Sequence, residues 1–402
     1  MTFAEIKEFD QKYVCNTYGR SNFAIKCGKG STCEDYDGKT YIDFTSGIGV
    51  NALGFADPEW VKAVSEQAAK FAHISNLYYT EPGVKAAKLI CEGSGMKKVF
   101  FANSGAEANE GMIKAARKYA QTKYGKERHE IITLINSFHG RTITTVAATG
   151  QEAMHVNFDP FTPGFVYAKA NDFEDVLSKV SDKTAGIMME MIQGEGGVIP
   201  LDKEFVEKVA ALCKEKDILL MVDEVQTGNG RTGYFYAYQA FGITPDIVST
   251  AKGIAGGLPM GAVLFGEKTE TTLVPGDHGS TYGMNPVAAA AACVVLERLD
   301  EKFLSEVKRK GEKIANAVKG FANVESVTGM GLMIGIMPIK GSSKEIAAKC
   351  LENGLIVLTA HEKVRLLPPS LSPMKSWIRV LLSSKKYSRR LENNHETFFE
   401  AA

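Results

Sequence analysis

The sequence predicts an α/β protein, with a large domain built on a mostly parallel sheet flanked by helices and a small α+β domain drawn from both chain ends. Two observations carry this reading. From about Lys97 to Gly266, short apolar β-rich runs alternate with helical patterns, as βαβ units around a sheet buried on both faces require. On either side the pattern changes, to hairpin-like turn signals before it and to an Ala-rich helix with a new α+β stretch after it. A chain of 402 residues is long enough for both parts.

Taken in order, GKGSTCEDYDGKTYIDF reads as hairpin-forming, and VFFA, EIITLI, AGIMMEMI, ILLMVDEV, DIVST and GAVLFG read as the strands of the large sheet. GAEANEGMIKAARKYAQTKYG and FVEKVAALCKEKD hold the 3.6-residue period of helices and end in Gly or Lys-rich turns. After Asn285, PVAAAAACVVLERLDEKFL predicts one long helix. The expected division is residues 1–48 for the N-terminal part of the small domain, 49–300 for the large domain and 301–402 for the rest of the small one.

Composition excludes several classes. Hydrophobic content is 45% and charged content 23%, and no apolar run approaches the ~18 residues of a membrane span. The N-terminus MTFAEIKEFDQKYV has no apolar core or Arg/Ser-rich pattern, so a cytoplasmic location is the expectation. Seven scattered cysteines, never in a CxxC spacing, argue against a disulfide framework and a zinc site, and no metal is expected. Net charge is zero and no long basic run precedes the final segment, which points away from nucleic acid and toward small-molecule partners.

Three short segments carry candidate chemistry. Asn103-Ser104-Gly105-Ala106 stands between the strand VFFA and a helix, where free backbone N–H groups and a small hydroxyl make a phosphate site. Asp223 ends the apolar strand ILLMV, where α/β folds put ligands, and a carboxylate so placed suits a cationic ring nitrogen. Lys252 follows DIVST amid small residues, and a buried lysine becomes a nucleophilic amine toward carbonyls. Each has a plainer reading: a Ser N-cap, an Asp paired with an Arg, a solvated Lys. In combination, a phosphate nest, an acid and an amine, each after a strand, match the phosphate, ring nitrogen and aldehyde of pyridoxal 5'-phosphate (PLP).

NSGAEANE, FHGRT, QGEGGV, DEVQTGNGRTG and HGSTYG, in this order, resemble the class III aminotransferases of PLP fold type I, from roughly Tyr18 to Pro369. Within that class, YIDFTSGIGVNALGFADP and HISNLYYTEPG are most similar to the acetylornithine-specific branch. The resemblance implies that Ser104, Gly105 and Ala106 hold the phosphate, Phe138 stacks on the pyridine, Asp223 pairs with the ring N–H and Gln226 bonds the phenolic oxygen. Lys252 would be Schiff-base partner and proton shuttle. Ser280 and Thr281 would reach the phosphate in a neighbouring subunit, which implies a homodimer with shared active sites.

For substrate, the resemblance assigns Arg141 to the α-carboxylate of acetylornithine and Arg365 to that of glutamate or 2-oxoglutarate. Glu195 would mask Arg365 in one half-reaction and release it in the other. The implied activity is transfer of the δ-amino group of N2-acetylornithine to 2-oxoglutarate, as in arginine biosynthesis. Another ω-aminotransferase, acting on ornithine, succinylornithine, GABA or an aminoadipate-type substrate, remains open, as does a PLP-bound protein of low activity. Asn76, Tyr78 and Tyr79 are candidates for shaping the acyl pocket. Met191 stands where the family usually has Pro, and Met284 where Gly is common.

After Pro369 the family pattern lapses. Residues 370–402 hold six Lys/Arg and three Asp/Glu. Ser370 to Arg379 can be back-translated with permitted codons so that, two bases out of frame, they spell Leu-Thr-Leu-Ser-Tyr-Glu-Glu-Leu-Asp-Lys-Gly, a family-like helical text. A slipped reading frame near Pro369 is therefore the expectation for the tail, with Arg365 just upstream at risk of misplacement.

Overall fold

A computed structural model describes residues 1–370, and the expectation for the tail beyond Ser370 lies outside the described residues. The N-terminal turn signals form β1 (Ile25–Lys29), β2 (Thr32–Asp35) and β3 (Thr40–Asp43), an antiparallel meander. The large sheet comprises β4 (Lys98–Ala102), β5 (Glu130–Leu134), β6 (Phe165–Ala168), β7 (Thr184–Met189), and, beyond a short ribbon of β8 (Ile192–Gln193) and β9 (Ile199–Pro200), β10 (Leu219–Asp223), β11 (Ile247–Thr250) and β12 (Gly261–Phe265). Its order is β4-β12-β11-β10-β7-β5-β6, parallel except at β12, which runs against both β11 and β4.

Strand periodicity explains why this sheet is covered on both faces. Ile132, Ile187, Met189, Leu220, Val222, Val248 and Leu264 point into one core, and the alternate residues Ile131, Met188, Leu219, Met221, Ile247 and Val263 into another. Each such side chain, fully buried, contributes about 1.5–3 kcal/mol of hydrophobic stabilisation. The helix Gly105–Tyr124 packs its small stripe, Ala108, Ala115 and Ala116 beside Met112 and Ile113, into the second core against β11 and β12.

The C-terminal segment adds β13 (Val324–Met330), β14 (Met333–Pro338), β15 (Leu355–Ile356), β16 (Leu358–Ala360) and β17 (Lys363–Leu366). β15 joins the N-terminal meander parallel to β3, and β13-β14-β17-β16 form an antiparallel sheet. Phe44, Val307, Ile314, Ile334, Ile336, Val364 and Leu366 share one core, so both chain ends meet there.

Three details depart from the expected elements. The Ala-rich run is two helices, Pro286–Glu297 and Glu301–Lys319, because Asp300 caps the second by accepting from Phe303 N (2.7 Å). AGIMMEMI is not one strand: β7 stops at Met189 and the chain resumes pairing only at Ile192. β6 is an additional edge strand, short and half-buried, with too weak an alternation to read. Among the described residues, no helix is long and apolar enough to cross a membrane, and no cluster of His, Cys, Asp or Glu suits a metal ion.

Candidate active site

At the carboxyl ends of the parallel strands lies a cavity of about 460 Å³, within the range of small-molecule sites. Ser104, Gly105, Ala106, Phe138, Arg141, Asp223, Gln226 and Lys252 all line it. These residues come from four separate strand-to-helix connections, and the sheet alone brings them together.

Ser104 is the N-cap of the helix Gly105–Tyr124, its hydroxyl accepting from Glu107 N (3.1 Å) while Glu107 Oε2 accepts from Asn103 N (2.5 Å). The first N–H groups of a helix have no acceptor within it, so the Gly105 and Ala106 amides face the cavity as anion donors. A Cβ on Gly105 would collide with Val225 Cγ1 at 2.7 Å, so the loop needs glycine there.

Asp223 is 3% exposed at the end of β10. Its Oδ2 accepts from Asn109 Nδ2 (2.7 Å) and lies 2.8 Å from His139 Nδ1, and its Oδ1 accepts from Val225 N (2.9 Å). Asn109 also donates to His139 O (2.7 Å), so the carboxylate, the amide and the imidazole form one buried unit. Glu190, between β7 and β8, completes the wall: Oε1 accepts from Phe138 N (2.9 Å) and Oε2 from Gly194 N (3.3 Å). Burial pushes its carboxyl up to about 7, against the pull of the nearby His139 ring and with Asp223 adding to the rise. Asn109, His139 and Glu190 were given no role by sequence reasoning. Asn109 and His139 sit inside the quoted motifs, and Glu190 is a lone charge in an apolar run, which was a usable signal.

Lys252 follows β11 at φ +46°, a left-handed conformation that costs a non-glycine residue on the order of 1 kcal/mol and tends to persist where function holds it. Burial lowers the pKa of its amine; Glu195, Asp223 and Glu190 oppose that shift and Arg365 reinforces it. A less protonated amine is a better nucleophile.

Glu195 and Arg365 lie beside the cavity and join it through Gln226. Arg365 Nη1 donates to Glu195 Oε1 (2.7 Å) and to Gln226 Oε1 (3.0 Å), and Nη2 donates to Glu195 Oε2 (3.3 Å). Burial raises the Glu195 carboxyl, but Arg365, Lys252 and Gln226 more than offset this and hold it below the usual range. Arg365 is 2% exposed, with both terminal nitrogens engaged and Nε without a partner among the described residues. On another wall, the Arg141 guanidinium sits 5.6 Å from the Phe138 ring centroid. Ser280 and Thr281 do not reach the cavity in the single chain. Ser280 Oγ accepts from Asn103 Nδ2 (3.1 Å), next to the Ser104 nest, and Thr281 is exposed. Asn76 holds that turn by donating to Ser280 O and Gly283 O (both 2.9 Å), whereas Tyr78 and Tyr79 are exposed.

A buried amine, a partnered acid and an amide nest around one cavity on this sheet are what a PLP-dependent aminotransferase needs. The aminotransferase class-III family profile matches residues 13–379, and the chain belongs to that family, whose members depend on PLP. The match runs ten residues past the point where the motif resemblance ends. The chain is 51% identical to the acetylornithine aminotransferase of Haemophilus ducreyi over 92% of this chain and 94% of that one. It is 46% identical to that of Aquifex aeolicus over 89% and 94%. Among solved structures, the ornithine aminotransferase of Toxoplasma gondii superposes with a TM-score of 0.91 at 29% identity, covering 98% and 97% of the two chains. The N-acetylornithine aminotransferase of Stenotrophomonas maltophilia does so with a TM-score of 0.79 at 32% identity, covering 93% and 96%.

Proposed function

We propose that this chain moves the δ-amino group of N2-acetylornithine to 2-oxoglutarate, giving N-acetylglutamate 5-semialdehyde and glutamate. The observation that carries the reading is the Arg365–Glu195–Gln226 cluster at the cavity's edge with a second guanidinium, Arg141, at its wall. Two arginines, one masked by a carboxylate, let one pocket take an ω-amine and then an α-amino acid. Curated relatives bearing the acetylornithine aminotransferase name support the substrate.

The residues present fit PLP. The nest amides suit a dianionic phosphate, Asp223 offers the cavity a carboxylate oriented by Asn109, Val225 N and the His139 ring, and Asn109 Oδ1 and His139 Nε2 are buried polar atoms with no partner among the described residues. When bound, the cofactor supplies an electron sink for the carbon losing its proton. Ser104, Gly105 and Ala106 would hold its phosphate, Phe138 its ring face, Asp223 its ring N–H and Gln226 its phenolic oxygen. Lys252 would anchor the aldehyde and, once free, take onto Nζ the proton leaving the substrate's amine-bearing carbon. Arg141 receives the α-carboxylate of the ω-amine donor. Arg365 stays paired with Glu195 in that half-reaction and binds the α-carboxylate of glutamate once Glu195 turns away.

A homodimer belongs to the same reading. Thr281 is exposed, and Leu77 and Tyr79, at 84% and 99% exposure, stand in a stretch tied to the same turn by Asn76. The division into a large domain over 49–300 and a small one from both ends is supported by β15 pairing with β3. Single-turnover rates with acetylornithine, ornithine and GABA test the substrate: acetylornithine is expected to react fastest, and a preference for ornithine would overturn the assignment.

A further inference from the structure

Arg231 lies five residues after Gln226 in the loop following β10 and does not line the cavity. It is 3% exposed, and among the described residues it has no carboxylate within ion-pair distance and its Nη2 has no hydrogen-bond partner. Burial lowers its pKa to about 10, with the charge of Asp43 opposing the shift. A buried guanidinium so poorly compensated is costly, and its retention calls for a reason.

Its contacts supply one. Nη1 donates to Leu332 O (3.2 Å) and to Pro368 O (2.5 Å), and Leu332 N donates back to Arg231 O (3.0 Å). Leu332 immediately precedes β14, and Pro368 is two residues past β17. The two strands are antiparallel neighbours with Ile334 opposite Leu366 and Gly335 opposite Arg365, so Leu332 and Pro368 sit at the same end of the pair. One guanidinium therefore pins that end of both strands. The loop carrying it also carries Gln226, which accepts from Arg365 itself. The Arg365 strand is thus gripped twice by one loop, at its guanidinium and at its end. Ser46 Oγ, donating to Leu367 O (2.6 Å), and Lys310 Nζ, donating to Ser370 O (2.8 Å), extend the hold along the same segment.

We propose that Arg231 is a positioning residue for substrate recognition, setting the β14–β17 end so that Arg365 meets Glu195 or, in its place, the α-carboxylate of the dicarboxylate substrate. This rests on the reading of Arg365 given above. The test uses the PLP-loaded enzyme and two readouts: calorimetric affinity for glutarate, a non-reacting five-carbon dicarboxylate, and single-turnover rates of the glutamate and acetylornithine half-reactions. Losing one charge-assisted grip on the strand end, Arg231→Lys is expected to weaken glutarate and raise the glutamate KM about tenfold, leaving the acetylornithine half-reaction within about threefold of wild type. Arg365→Lys is the control and should show the same split, more strongly.

If Arg365→Lys splits the half-reactions while Arg231→Lys leaves both unchanged or lowers both equally, Arg231 is merely structural and the inference is wrong. If Arg365→Lys itself leaves glutarate binding intact, the reading of Arg365 fails and this inference falls with it. Should Arg231→Lys not fold, Asp43→Asn keeps the guanidinium and removes a negative charge that acts on it from beyond ion-pair distance. A glutarate affinity about two- to threefold weaker is then expected, and unchanged affinity in the folded variant overturns the proposal.

Discussion

Arg365 donates through both terminal nitrogens to Glu195, at 2.7 and 3.3 Å, from a position where only 2% of the residue is exposed. Such a pair is costly to break from one side. Glu195→Gln is expected to lower stability by about 1–3 kcal/mol, because Arg365 keeps its charge and loses its best acceptor. The same change frees Arg365 for α-carboxylates, so the preference for acetylornithine over glutamate in single-turnover rates should drop by at least about tenfold. An unchanged preference would separate Glu195 from substrate choice.

Lys252→Ala is expected to lower turnover by on the order of a thousandfold or more, the scale of a lost proton-transfer group. The visible-edge absorbance of bound cofactor that borohydride bleaches should disappear with it. Thermal stability should hold, because the variant deletes a buried amine whose charged form burial disfavours.

Glu224 turns away from the cavity, its carboxyl accepting from Thr227 Oγ1 (2.6 Å) and Tyr238 N (2.8 Å). Burial pushes it up from 4.5 to about 7. Between those pH values the folded chain holds a proton that the unfolded chain has lost, so this group's contribution to stability falls as pH rises through that window. Glu224→Gln lacks that loss. Its melting temperature relative to wild type is expected to rise from pH 5 to pH 8, by the equivalent of at most about 3 kcal/mol. A constant difference across that range would contradict the titration.

Gly261 begins β12 with its α-carbon against the backbone carbonyl of Ser104, and a Cβ there would overlap that oxygen. Backbone cannot rotate away as a side chain does. Gly261→Ala should cost about 1–3 kcal/mol of stability. By displacing the Ser104 nest it should also weaken PLP binding at least tenfold, measured by fluorescence titration; full affinity would place the phosphate elsewhere.

For the segment beyond Ser370, the gene itself is the measurement. Its codons, read two bases out of frame from Ser370, are expected to continue a family-like helical text. A stop or unrelated text within ten codons would end that reading.

Much of the site was legible because its parts follow strands. Ser104, Asp223 and Lys252 each stand one step beyond an apolar run, and one sequence position suffices to mark them. Asn109, His139 and Glu190 were not legible in the same way, because their roles exist only where a helix turn, a loop and a strand end converge on Asp223. The helix break was hidden by composition: the Ala-rich run continues the apolar pattern across Asp300, whose capping hydrogen bond overrides it. β6, half-buried at the sheet edge, lacks the apolar continuity of the central strands. Ser280 and Thr281 lie outside the cavity of one chain, so their role depends on a surface that no single sequence position reveals.

The reversal of β12 has a consequence of its own. Were that strand parallel to its neighbours, its leading residues would open on the opposite rim; running backward, it delivers Pro259 and Met260 to the rim where Ser104, Asp223 and Lys252 arrive from the forward strands. The pocket's perimeter is therefore closed by a stretch that enters the sheet there rather than leaving it. Exchanging only Leu258, Pro259 and Met260, the far end of the connection that begins with Lys252, would remodel the mouth while leaving the amine, the acid and the nest in place.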